Sequence, residues 1–162
     1  MFRRILVPVD GSPASNQGLD EAIKLAGGEG STLCLLHVVD ELSLLQGIEG
    51  PVYGGAAYVD GFLKALREGG RKILAKAEAR ASKRGVRTEV TLVETMGRGV
   101  ADVILNQAKK TRADLIVMGT HGRRGVVRLV MGSDAEGVVR GARTPVLLVR
   151  STREARPRRK RG

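Results

Sequence analysis

A glycine-rich stretch, MGTHGRRGVVRLVMGSDAEG at 118 to 137, has the most distinctive chemistry in the chain. Glycines stand at 119, 122, 125 and 132, between apolar segments. Without a Cβ, glycine lets backbone N–H groups come close to an anion. A helix beginning at Ser133 would add the positive end of its dipole. The pattern therefore indicates a seat for phosphate.

The same residues also have purely structural explanations. Gly119 and Gly122 would suit a tight turn with positive φ. The segment Ser133-Asp134-Ala135-Glu136 satisfies the S-x-x-E capping box, which makes Ser133 a candidate helix N-cap. The hydroxyl either caps only, or caps and also meets phosphate. Glycines at this spacing do not by themselves decide between the two interpretations.

Four other residues could take part in chemistry. The carboxylate of Asp10 suits the hydroxyls of a ribose, or a turn at the end of a strand. Arg123 is either a solvated loop charge or a counter-ion for phosphate. His121 is the candidate acid or base, but it has no partner arrangement in the sequence. Cys34, the single cysteine, is interpreted as a small apolar residue that fills space within a strand.

Catalytic signatures are missing from the sequence. His37 lies in an apolar strand without metal-ligand spacing. No Cys/His cluster, paired carboxylates or G-x-S-x-G elbow appears, so a hydrolase would lack its nucleophile and base. We therefore assign no catalytic residue, and an enzyme is the less favoured class.

The elements that must position these residues alternate between strand and helix. Continuous apolar runs predict five strands, at 3–9, 32–39, 87–94, 113–119 and 144–150. Helical periodicity predicts four helices, at 14–26, 57–84, 99–111 and 133–141. The second helix could kink at Gly69 and Gly70, and Gly137 is expected to loosen the last helix. Such alternation implies parallel crossovers and an open three-layer α/β domain. Ligands in such folds lie beyond the carboxyl ends of the strands, which selects residues 8–13, Val38 onward, 96–99 and 119–133.

Length and charge limit the function classes. The chain has 162 residues and suits one domain, which we place at 1–150. The net charge is +11, and about half of it lies in the terminal segment RSTREARPRRKRG, so we interpret 151–162 as a disordered basic tail. That tail could contact nucleic acid or an anionic surface weakly, or remain solvated.

Neither a secretory signal nor a membrane-length apolar run is present, and we expect a cytoplasmic protein. Residues 41–57 form a long glycine-containing connection.

Several segments together resemble the universal stress protein family. They are the spacing Gly119-x-x-Gly122, nine residues, then Gly132-Ser133, together with ILVPVDGS at 5–12, LLHVVD at 35–40, ADLIVMGTHGR at 113–123 and TPVLLV at 144–149. The resemblance implies an adenine nucleotide alpha hydrolase-like fold with a five-stranded parallel sheet in the order 3-2-1-4-5. It also implies a homodimer through residues 144–149, whose apolar edge would invite pairing.

The resemblance also implies a nucleotide site. Asp10 corresponds to the carboxylate on the ribose or adenine side, Val38 to the residue whose backbone reads adenine, and Met118 to a contact with base or sugar. Gly119, Gly122, Arg123, Gly132 and Ser133 would line the phosphates. The full predicted set is Pro8, Val9, Asp10, Ser12, Val38, Met118, Gly119, His121, Gly122, Arg123, Gly132, Ser133 and Asp134.

One departure from the family pattern bears on the ligand. Asp134 stands where an apolar or small residue is usual, and its charge would disfavour triphosphate relative to monophosphate unless a metal intervenes. The expected ligand is ATP, AMP or ADP, with Mg²⁺ as an accompanying ion. We predict a nucleotide-binding regulator of a stress response. The alternatives are a slow ATPase or nucleotidyl transferase using the same cleft, and a nucleic-acid-associated protein acting through its basic tail.

Overall fold

The computed structural model describes residues 2–27, 30–41, 55–120 and 131–150, with the backbone alone for 55–57. In this part of the chain five strands alternate with four helices. The strands are β1 (Arg4–Pro8), β2 (Thr32–Asp40), β3 (Arg87–Thr95), β4 (Leu115–Gly119) and β5 (Val146–Val149). The helices are α1 (Pro13–Leu25), α2 (Gly55–Ser82), α3 (Val100–Lys110) and α4 (Ser133–Gly141). Every predicted element is confirmed, with small shifts at its ends.

The strands form one parallel sheet in the order β3-β2-β1-β4-β5. This order confirms the architecture that the family resemblance implies. From β1 the chain first adds β2 and β3 on one side and then β4 and β5 on the other. The pair β1 and β4 is therefore the topological switch point. Any site in this fold is therefore expected at their carboxyl ends.

Both faces of the sheet are buried, as continuous apolar strands require. Alternate residues of β1 show the division, because Ile5 and Val7 point to one face and Leu6 to the other. Helices α1 and α2 cover the first face with Leu19, Ala22, Ile23, Leu74, Ala77 and Ala81. Helices α3 and α4 cover the second with Ile104, Ala108, Ala135 and Val138.

Glycines occur inside α2 and α4, where the sequence predicts weaker helix. Helix α2 runs without interruption through Gly69 and Gly70, and a kink at this point stays a prediction. A Cβ built on Gly137 would lie 2.8 Å from the Cβ of Ala101 in α3. The missing side chain therefore lets α4 pack closely on α3. None of the helices that the structure describes is long and apolar enough to cross a membrane.

Candidate functional site

A gap opens between β1 and β4 at the carboxyl edge of the sheet. β1 pairs with β4 only at Ile5↔Leu115 and Leu6↔Ile116. Beyond that point β1 stays with β2, and β4 stays with β5. The two strands therefore separate near their carboxyl ends. The switch-point rule places a ligand site where two neighbouring strands separate in this way.

The end of β1 presents Asp10 at one side of the gap. Gly11 has a φ of +80°, which turns the chain sharply after Asp10. Asp10 Oδ1 accepts a hydrogen bond from Ser12 N–H at 2.9 Å, and Asp10 N–H donates to Ser15 Oγ at 3.1 Å. Asp10 is half-buried. Its carboxylate is therefore held in place by the turn that leads into α1.

Ser12 caps α1. Its hydroxyl accepts from Ser15 N–H at 3.1 Å, and Pro13 occupies the first helical turn. Ser12 is buried. The predicted contact between Ser12 and a nucleotide is untested, but the cap gives this hydroxyl a structural role. Because the cap lies directly after Asp10, the N-terminus of α1 faces the same edge of the sheet.

Gly119 lets α1 pack against the end of β4. A Cβ built on Gly119 would lie 2.7 Å from the carbonyl carbon of Ala14 and 2.8 Å from Ser15 N. Gly18 meets the same stretch, since its Cβ would lie 3.3 Å from Gly119 N. Gly119 is not among the glycines with positive φ, so the tight-turn interpretation is wrong for it. The described structure instead gives its missing side chain a packing reason.

A hydrogen bond joins the two ends of the glycine-rich stretch. Gly132 N–H donates to Thr120 O at 2.9 Å, and Thr120 N–H donates to Val149 O at 3.0 Å. The chain therefore leaves β4 at Thr120 and returns to the same place at Gly132. As a result, the N-terminus of α4 stands at the carboxyl end of β4. A helix N-terminus there favours a negatively charged ligand.

The N-cap of α4 is Gly132, and the capping-box prediction for Ser133 is therefore wrong. Gly132 has φ −64° and ψ 151°, and Ser133 is the first residue of the helix. Glu136 N–H bonds Gly132 O at 2.9 Å, as expected for the first turn. Ser133 and Asp134 are both exposed. Asp134 is acidic in the first turn, which suits the helix dipole.

The remaining predicted residues are placed unequally. Pro8 ends β1, the buried Val9 follows it, and Val38 is half-buried in β2. Met118 is buried among the apolar residues that α3 and α4 cover. His121, Gly122 and Arg123 lie outside the described residues, as does most of the 41–57 connection and the tail 151–162. Their roles stay predictions.

Cys34 lies among charges near the opposite, amino edge of the sheet. Arg4 forms an ion pair with Glu89 across β2, and its Nη2 lies 3.4 Å from Cys34 Sγ. The hydrogen bond from Arg4 lowers the pKa of Glu89, while burial raises the pKa of the Cys34 thiol. A buried thiol with a raised pKa is a poor nucleophile. This agrees with the interpretation of Cys34 as a filler.

Two contacts near the site were not anticipated from the sequence. His37 Nδ1 lies 2.6 Å from the carbonyl oxygen of Val9. Arg67 of α2 donates to Glu94, the second-to-last residue of β3, at 2.9 Å and to the buried Glu41, directly after β2, at 3.1 Å. A histidine in an otherwise apolar strand was the available signal for the first contact. In the described part of the chain, no cluster of three or more His, Cys, Asp or Glu could hold a metal.

Comparison with known proteins decides the family. Residues 1–150 match the model of the universal stress protein family. Universal stress protein YxiE of Bacillus subtilis is 34% identical over 151 residues, which cover 93% of this chain and 100% of YxiE. Universal stress protein MJ0531 of Methanocaldococcus jannaschii is 33% identical over 154 residues, covering 95% and 85% of the two chains. The chain belongs to the universal stress protein family.

Solved structures support the fold of this universal stress protein. The structure of MJ0577 superposes with a TM-score of 0.80 at 22% identity, covering 93% of this chain and 96% of the other. An Archaeoglobus fulgidus universal stress protein in complex with dAMP has a TM-score of 0.62 at 22% identity, with coverages of 90% and 96%. An Arabidopsis thaliana family protein with AMP bound has 0.66 at 16% identity, with 96% of each chain covered.

Proposed function

We propose that this protein is an adenine-nucleotide-binding regulator whose ligand lies in the gap between β1 and β4. The observation that carries the proposal is the hydrogen bond from Gly132 N–H to Thr120 O. It brings the N-terminus of α4 to the carboxyl end of β4, at the same edge of the sheet as Asp10. An anion-favouring helix end and a carboxylate for hydroxyls are the two groups that a nucleoside phosphate needs.

Each part of the ligand has a residue to meet it. Asp10 accepts hydrogen bonds from the ribose hydroxyls, and the backbone of Val38 meets the adenine edge. The phosphate lies at Gly132 and Ser133, with His121, Gly122 and Arg123 completing the cradle. Relatives of the same fold with dAMP or AMP bound support an adenine ligand. The domain responsible extends over residues 1–150.

The charge of Asp134 sets the preference among phosphates. It is exposed in the first turn of α4, near the proposed phosphate position. A carboxylate repels a triphosphate more strongly than a monophosphate. AMP is therefore favoured over ATP, unless Mg²⁺ accompanies the triphosphate. Such an ion would be held by phosphate oxygens and waters, with at most one or two carboxylates of the protein.

Regulation fits the site better than turnover. The sequence contains no Cys/His cluster, paired-carboxylate arrangement or G-x-S-x-G elbow, so hydrolysis or nucleotidyl transfer would be slow. Occupancy by nucleotide would instead bias the assembly of the protein or its contact with a partner in the cytoplasm during stress. The basic tail would add a weak, salt-sensitive contact with nucleic acid or another anionic surface.

The assembly we propose is a homodimer through β5. This strand is at one edge of the sheet, and Leu147 is 37% exposed on it. An uncovered apolar edge strand favours pairing with a second copy. Native mass spectrometry at micromolar protein is expected to show the dimer, and a Leu147→Lys variant is expected to shift it to monomer. Monomer alone for the wild-type protein would contradict the dimer.

The helix cap gives a matched test of nucleotide binding. Gly132 and Gly99 are both N-cap glycines with extended backbone and no capping side chain, at α4 and α3 respectively. Gly132→Val is expected to weaken AMP binding at least about tenfold, because the side chain would intrude where backbone amides meet phosphate. Gly99→Val carries the same loss of cap preference and is expected to bind AMP normally.

The measurement is isothermal calorimetry with AMP, ADP and ATP, the last with and without Mg²⁺. Saturable binding by the wild-type protein and the Gly99 variant, with loss in the Gly132 variant, supports the proposal. No heat and no saturation with any of the nucleotides would refute it.

A further inference from the structure

His37 is a buried imidazole at the edge of the proposed site. It is 4% exposed, and its Nδ1 lies 2.6 Å from Val9 O. A carbonyl oxygen can only accept a hydrogen bond, so Nδ1 must carry the proton and donate it. The side chain thus joins β2 to the last residue before Asp10.

This contact replaces a bond of the sheet. The β1–β2 ladder runs to Pro8↔Leu36, followed by the bond from Val9 N–H to Leu36 O at 2.8 Å. In a regular parallel ladder the next bond would run from Val38 N–H to Val9 O. Among the backbone hydrogen bonds of the described residues that bond is not formed. The imidazole of His37 takes this carbonyl instead.

Helix α2 is shaped to seat the imidazole. A Cβ built on Gly70 would lie 2.6 Å from His37 Cδ2 and 3.2 Å from Nε2. The neighbouring Gly69 meets nothing within 4 Å. The two adjacent glycines therefore differ in role, because only Gly70 makes room for the ring. This packing fixes the ring from the side opposite Val9.

We propose that His37 is a positioning residue for nucleotide binding. Its bond to Val9 O stands where the ladder would use Val38 N–H, and this donor is left directed beyond the end of β1. Adenine carries an acceptor ring nitrogen beside a donor amino group, which matches a backbone N–H and C=O on one residue. The identity of the ligand rests on the proposed function, whereas the state of Val38 N–H does not.

Substitutions at position 37 separate the donor from the ring. His37→Asn keeps an N–H group near the position of Nδ1, and His37→Leu keeps apolar volume without a donor. The leucine variant is expected to bind AMP about tenfold more weakly, since Val38 N–H would turn to the uncapped carbonyl. The asparagine variant is expected to stay within about threefold of the wild type. Equal affinity of the leucine variant and the wild type would overturn the proposal.

The glycine pair tests the same point without changing His37. Gly70→Ala forces the ring to move and is expected to weaken AMP binding about tenfold. Gly69→Ala adds the same methyl group to the same helix in open space and is expected to leave affinity unchanged. Equal affinities for the two variants would contradict the role of the ring position.

Amide hydrogen exchange in the ligand-free protein, followed by NMR, gives a readout that needs no nucleotide. Val38 N–H is expected to exchange faster than Leu36 N–H, which lies within the paired ladder. In His37→Leu the Val38 amide is expected to become protected. Equal protection of Val38 and Leu36 in the wild type would refute the inference, even if AMP binds. Failure of the wild type to bind AMP would refute only the proposed function.

Discussion

The same two strands are joined at one end and parted at the other. At the amino end, Asp114 of the β4 side accepts hydrogen bonds from Arg3 N–H at 2.7 Å and Arg4 N–H at 3.1 Å. Asp114 N–H also donates to Arg4 O at 2.9 Å. At the carboxyl end, Asp10 bonds to Ser12 N–H within its own turn, and β1 and β4 no longer pair.

Two aspartates thus serve opposite purposes. Asp114 joins β4 to β1, while Asp10 shapes the mouth of a gap. Asp114 and the pairs at Ile5 and Leu6 hold β1 and β4 together at their amino ends. The separation at their carboxyl ends is therefore a defined feature of the sheet and not a frayed end. The contrast indicates that binding groups can be placed at the open end while stability comes from the closed end.

The largest expected effect comes from disturbing the end of β4 itself. Gly119→Ala places a Cβ within 2.9 Å of Ala14 and Ser15 backbone or side-chain atoms. We expect a loss of about 1–3 kcal/mol in the free energy of unfolding, because α1 must move away. Gly61→Ala in α2 meets nothing within 4 Å and should be neutral or stabilising by up to about 1 kcal/mol. Urea denaturation measures both, and equal stabilities would contradict the close packing.

Substitutions of the two aspartates are expected to have opposite effects on stability and on AMP affinity. Asp114→Ala removes an acceptor from two backbone amides and is expected to cost about 1–2 kcal/mol of stability while leaving AMP affinity unchanged. Asp10→Ala is expected to lower AMP affinity at least about tenfold, with a smaller loss of stability. Urea denaturation and calorimetry on the same preparations check the pair. Loss of AMP affinity in the Asp114 variant would break the contrast.

The smallest expected effect is a pH dependence at the closed end. The bond from Arg4 lowers the pKa of Glu89 in the folded protein. The ion pair therefore stabilises the fold fully at pH values above the pKa that Glu89 has in the unfolded chain. This contribution is lost as the pH falls through the lower pKa that Glu89 has in the folded protein. Because Glu89 is 53% exposed, we expect less than about 1 kcal/mol. Urea midpoints between about pH 6 and pH 3 should fall more steeply for the wild type than for Glu89→Gln. Parallel curves would contradict the pair.

Much of this fold was accessible from the sequence because it depends on local patterns. Continuous apolar runs predicted the strands, and helical periodicity predicted the helices. The strand order came from the family resemblance, since periodicity does not specify which strands are neighbours.

The contacts that were missed join distant parts of the chain. Gly70 is recognisable as a seat for His37, and Gly137 as a contact for Ala101, only when helix and partner are seen together. Gly132 replaced Ser133 as the cap because the helix begins one residue earlier than the capping box requires. The phosphate side at His121, Gly122 and Arg123 lies outside the described residues and stays a prediction.

Titration of isotopically labelled protein with AMP, followed by backbone amide NMR, tests the central claim most directly. The gap between β1 and β4 predicts saturable shifts at Asp10, Val38 and Gly132, all at the carboxyl edge, with the Asp114 amide unmoved. Shifts confined to the amino edge, or none at saturating nucleotide, would contradict an adenine nucleotide site in this gap.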